Sequence, residues 1–175
     1  MFKSTIFLCF IFTILFTVRA NSQDENASMI PPPPVNNKVY EAMNGDWNAE
    51  GMMMGIPMMM NMKAYWDLNH QFLVLDLRAT GKEDVNQTYQ GKGLFGIDAM
   101  GNSKTWWFDS WGAEGVSLGS GAFSDNKLTI NGGNAMYTET RTFLINENDM
   151  VMSAKGTMNM GGKETPFDET VVFKK

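Results

Sequence analysis

Two sets of side chains in this chain have types and spacing that could do chemistry. The first is methionine. Seven of the sixteen methionines fall in Gly51–Lys63, GMMMGIPMMMNMK. A thioether is soft, polarisable and unbranched, which suits Cu(I) ligation, an adaptable pocket wall, or core filling. Met58, Met60 and Met62 alternate with other residues, as do Met150 and Met152, and Met158 and Met160. In a strand, that two-residue spacing puts the sulfurs of each set on one face. The second set is Tyr137, Glu139, Arg141, Phe143 and Ile145. It carries the larger apolar groups of its segment and so should face inward, taking a carboxylate and a guanidinium with it. A buried charge is costly unless paired. Glu139 and Arg141 can pair with each other or with a neighbour such as Asp109 or Glu169.

Other catalytic kits are poorly represented. The chain has one histidine and one cysteine. His70 is expected in a turn, where a Ser-His-Asp arrangement has no evident partners. A single imidazole without a thiolate cannot build a zinc centre. Gly91-Lys92-Gly93 and Gly119-Ser120-Gly121 lack the strand-to-helix setting of a phosphate loop and are expected as barrel bends. No catalytic constellation and no cofactor are therefore expected.

The elements that must position these residues follow from the pattern along the chain. Met1 to Ala20, MFKSTIFLCFIFTILFTVRA, has a basic start, an apolar run from Ile6 to Val18 and a small residue before a polar segment. This predicts a cleaved export signal, and hence a periplasmic or secreted protein with no stable membrane insertion after cleavage. The signal would take Cys9, Lys3 and Arg19 with it, moving the formal charge from −5 to −7. A cysteine-free acidic chain offers no thiol chemistry and no electrostatic pull on nucleic acid or anionic lipid. Residues 21–37 include four consecutive prolines and predict a disordered linker. Residues 38–175 remain, enough for one core.

That remainder predicts an all-β domain, with a single helical turn at Lys38 to Met43. Ten alternating segments are separated by turn residues. They lie near Asp46 to Met54, Met58 to Leu68, Phe72 to Thr80, Gln87 to Asp98, Lys104 to Trp111, Gly115 to Phe123, Lys127 to Asn131, Ala135 to Asn146, Met150 to Met160 and Thr165 to Phe173. Short connections imply an up-and-down antiparallel meander, and closure into a lipocalin-like barrel removes both sheet edges. In such a barrel the second and ninth strands flank the seam between the first and tenth, and their methionines face the lumen.

Three stretches carry a resemblance: MNGDWNAEG, GKGLFGIDAMGNSKTWWFDSWG and YTETRTFLINENDMVMSAKG. In this order and spacing, the chain from about Tyr40 to Phe173 resembles a bacterial family of exported proteins of unknown function with a lipocalin-like or nitrobindin-like barrel. The resemblance implies a ten-strand barrel with a central cavity and carries no established activity. The haem-binding nitrobindin branch uses a histidine late in the chain, and this sequence offers only His70.

The function expected from these features is binding of a small apolar or amphipathic molecule in the barrel lumen. The expected lumen residues are Met58, Met60, Met62, Trp66, Tyr89, Phe95, Trp107, Asp109, Glu139, Arg141, Met150 and Met152. The aromatic groups would supply flat walls, and Arg141 would anchor an acidic head group. Two alternatives stand beside it. One is a Cu(I) protein using Met58, Met60, Met62, Met158 and Met160. The other is a filled structural barrel acting through a protein partner.

Overall fold

Alternating side chains can bury one face of a strand only if the sheet has an interior, and here the interior is made by closure. The computed structural model describes residues 31–175, apart from the side chain of Met160. The expected export signal and the linker before residue 31 lie outside the described residues. The elements run α1 (Lys38–Met43), β1 (Gly45–Met53), β2 (Ile56–Asp67), β3 (Phe72–Gly81), β4 (Thr88–Ile97), β5 (Ser103–Asp109), β6 (Gly112–Ser124), β7 (Lys127–Gly133), β8 (Tyr137–Ile145), β9 (Asp149–Met160) and β10 (Lys163–Lys174). Each strand pairs antiparallel with its chain neighbours, and β1 pairs with β10, so the sheet is a closed ten-strand up-and-down barrel. All ten expected strands are present in order.

The hairpins form where the backbone can enter the left-handed region. Gly161 and Gly162, with φ of 62° and 80°, turn β9 into β10. Met54 and Gly55, with φ of 53° and 77°, do the same between β1 and β2. The turn between β7 and β8 lies at Asn134–Met136, beyond Gly132 and Gly133. Both glycines stay in β7 and pair with Leu118 and Gly119 on one side and Glu139 and Thr138 on the other. A Cβ on Gly132 would meet the Leu118 carbonyl at 2.7 Å and Gly119 Cα at 2.9 Å, so close strand approach explains this glycine.

One end of the barrel is plugged. Asn37 caps α1, its side chain accepting from the Val39 and Tyr40 amides. The helix drops Val39, Tyr40 and Met43 into the core, each no more than 1% exposed. The Tyr40 ring meets Phe123, Trp66 and Phe95 edge-on, with centroids 5.2, 6.0 and 6.3 Å away. Its hydroxyl hydrogen-bonds with Ser103 Oγ at 2.8 Å and lies 3.2 Å from the Gly96 carbonyl. Trp47 donates to the Met43 carbonyl at 2.7 Å, tying the plug to β1. Met60, Leu73, Leu75, Leu128, Phe143, Met150 and Phe173 share one buried core with it.

The part of the expected linker from Pro32 onward hydrogen-bonds to the β2–β3 turn. The Gln71 side chain donates to the Pro32 and Pro33 carbonyls at 3.2 and 3.0 Å, and the Val35 amide donates to His70 at 3.0 Å. Proline lacks a backbone donor but keeps its carbonyl acceptor, and the β2–β3 turn uses it.

Candidate functional site

Toward the opposite end, the strands surround a cavity of about 450 Å³. Its wall comes from the ends of β1, β5 and β9 and the starts of β4, β8 and β10, with Leu77 of β3 below. Met53, Leu77, Met152, Met158, Phe167 and Val171 make the apolar part. Met52, Met54 and Trp111 form an exposed rim.

The polar part is concentrated on β4, β5 and β8. Glu139 and Arg141 face inward from β8 and pair with each other, Arg141 Nη2 lying 2.9 Å from both carboxylate oxygens. Their side chains keep 12% and 23% of their exposure. Burial works against the Arg141 charge. Glu139, with the phenols of Tyr137 and Tyr89, more than offsets that, and the guanidinium stays above its ordinary pKa. The Arg141 Cζ sits 5.7 Å from the Trp107 ring centre, a cation–π contact. Arg141 Nε is buried and meets no acceptor among the described residues.

Trp107 donates from Nε1 to the Tyr89 hydroxyl at 2.9 Å, and that hydroxyl donates to Asp109 Oδ2 at 3.3 Å. Asp109 Oδ1 accepts from the Trp111 amide at 2.9 Å. Tyr137 donates to Ser117 Oγ at 2.8 Å. Burial pushes both phenols up, with the Trp107 and Ser117 hydrogen bonds partly opposing it. They are therefore protonated donors across the neutral range.

This arrangement depends on small residues. Gly93 lies opposite Trp107, and Gly91 opposite Asp109, on the inward face of β4. A Cβ on Gly91 would collide with the Trp107 indole, and one on Gly93 would lie 2.8 Å from it. A Cβ on Gly115 would collide with the Asp109 carboxylate, next to the register shift in β5 between Trp107 and Asp109. Gly91→Ala is expected to displace the indole, break its bond to Tyr89 and cost about 1–3 kcal/mol. The check is the Trp107 Nε1–H resonance together with thermal melting. An unmoved resonance and wild-type stability would reject this packing.

Of the expected lumen residues, Tyr89, Trp107, Asp109, Glu139, Arg141 and Met152 line the cavity. The other six do not reach it. Met58, Met60, Met62, Phe95 and Met150 face inward as expected, but they are packed into the filled part of the core. Trp66 packs on the plug and stacks on His70 with ring centres 3.9 Å apart. Alternation assigns a residue to a face but says nothing of its depth along the barrel.

The Cu(I) set is dispersed for the same reason. Met58, Met60 and Met62 are 4% exposed or less, in the core, whereas Met158 is on the cavity wall. The side chain of Met160 lies outside the described residues. Met53, Leu77, Tyr137, Phe167, Glu169 and Val171 also line the cavity but were not among the expected set. Tyr137 shares the inward face that identified Glu139 and Arg141, so the signal for it was present.

Among solved structures, the chain is similar to the crystal structure of Rv2717c from M. tuberculosis. The TM-score is 0.59 at 11% sequence identity, over 81% of this chain and 99% of that one. No protein-family model and no curated protein sequence matches the chain. At 11% identity the likeness is one of fold: a ten-strand antiparallel barrel with a solved structural neighbour.

Proposed function

We propose that this is an exported, non-enzymatic binding barrel of the bacterial lipocalin-like or nitrobindin-like kind that its sequence motifs resemble. Its open end holds a small amphipathic molecule. The observation that carries the reading is the cavity of about 450 Å³. That is within the range of small-molecule sites, which are mostly apolar with a few convergent polar groups. Methionine and aromatic walls suit a ligand body of variable shape. The Tyr89, Asp109, Glu139 and Arg141 cluster supplies the groups that would orient its polar end.

Export is supported by the apolar run from Ile6 to Val18 followed by Arg19-Ala20. The non-enzymatic reading is supported by the cluster's internal bonding. Tyr89 is engaged with Asp109, Tyr137 with Ser117 and Glu139 with Arg141, and among the described residues no nucleophile–base pair stands over the cavity.

The test is native mass spectrometry on protein isolated from its own source, beside an Ala154→Trp variant expressed in the same way. Ala154 lies on the inner wall, and an indole there would fill the cavity. The expected result is an organic mass on the natural protein, released on denaturation and missing from the variant. A bare mass for both, or the same adduct on both, would overturn the reading.

A further inference from the structure

We propose that the polar end of this ligand is a cation, an ammonium group carried on an apolar body. The inference rests on the cavity being a ligand site, as argued above, and adds the sign of the charge it selects. Four charged side chains of the described residues line the cavity: Asp109, Glu139, Glu169 and Arg141. Arg141 is the group that would attract an acidic ligand, but its Nη2 is already engaged by both oxygens of Glu139. The other two carboxylates are in no ion pair with a described residue. Among the described residues Asp109 accepts only from neutral donors, Tyr89 and the Trp111 amide, and Glu169 accepts from the Met54 amide at 2.6 Å. The lining is therefore left with two uncompensated negative charges.

The aromatic groups point the same way. Trp107 already receives the Arg141 cation on its ring. Tyr89 and Trp111 meet edge-on, ring centres 6.3 Å apart, beside Asp109, and Trp111 is 46% exposed at the rim. Aromatic faces next to a carboxylate favour a weakly hydrated organic cation, whose charge they stabilise at little desolvation cost. A carboxylate ligand would face Asp109 and Glu169 and would compete with Glu139 for the Arg141 charge. Like charges brought together in a partly dry site are repelled.

The experiment is calorimetric titration of the full folded protein with three probes that share an eight-carbon chain: octyltrimethylammonium, octanol and octanoate. The ammonium is expected to bind about tenfold tighter than octanol, and octanoate weaker than octanol. Asp109→Asn and Glu169→Gln are each expected to lower the ammonium-to-octanol affinity ratio at least threefold, a readout that survives a general loss of affinity in either variant. Octanoate binding as tightly as the ammonium would overturn the cation assignment and leave the ligand cavity standing. A ratio unchanged in both variants would overturn the role given to the carboxylates. No binding of any probe would overturn this inference and the proposed function together.

Discussion

Tyr40→Ala is expected to cost about 4 kcal/mol of folding stability and to lower the melting temperature by about 10–15 °C. Tyr40 is fully buried, and its ring contacts Trp66, Phe95 and Phe123. Truncation removes the plug of the barrel end and orphans the hydroxyl of Ser103, which is itself fully buried. Tyr40→Phe separates the two contributions. It keeps the ring and loses only the hydroxyl, for about 1–2 kcal/mol.

The same residue gives a pH dependence. Burial, opposed in part by the Ser103 bond, holds the Tyr40 phenol well above its ordinary range. Above pH of about 10 the unfolded phenol releases its proton while the folded one keeps it. The unfolded state then binds fewer protons, and stability falls with rising pH by up to about 1.4 kcal/mol per unit for each such group. Tyr89 and Tyr137 are raised too, so alkaline unfolding should be steep, and Tyr40→Phe should flatten it by one group's share. Chemical denaturation from pH 8 to 11 measures both effects. A Tyr40→Ala melting point within about 3 °C of wild type would show that α1 is no plug.

The sequence was most legible where a period-two pattern met a turn. Met58, Met60, Met62 and Ala64 are buried and Met59, Asn61 and Lys63 exposed because the pleat leaves no other choice once one face is inside. The inward turn of Tyr137, Glu139, Arg141, Phe143 and Ile145 was legible for the same reason, and it brought the ion pair with it. Depth was not legible. Met60 and Met152 carry the same face signal, yet one is sealed in the core and the other lines the cavity. Their levels depend on strand stagger and on α1 filling one end rather than the other. Nothing local to Tyr40 shows that its hydroxyl will find Ser103 sixty-three residues away. The packing role of the glycines was not legible for a related reason. Gly91 and Gly93 make room for an indole on the next strand, a partner that only the register between β4 and β5 reveals.

The ion pair gives the second large effect. Glu139→Gln is expected to destabilise the protein by about 2–3 kcal/mol. That lies below the usual cost of breaking a buried pair because the Arg141 and Glu139 side chains keep 23% and 12% of their exposure. Most of the loss is the cost of leaving Arg141 charged in the barrel without its counter-ion, since Arg141 does not deprotonate. Its Nε already meets no acceptor among the described residues, and losing Glu139 leaves Nη2 without its acceptor as well. If that account is right, removing the cation as well should recover stability. The double variant Glu139→Gln with Arg141→Met should return to within about 1 kcal/mol of wild type, because an apolar replacement of a buried pair is often neutral. A thermodynamic cycle built from denaturant melts of the wild type, both single variants and the double variant measures the coupling. Additive losses, with no recovery in the double variant, would mean that the two side chains act through separate packing contacts and that the pair does not stabilise the cavity floor as a unit.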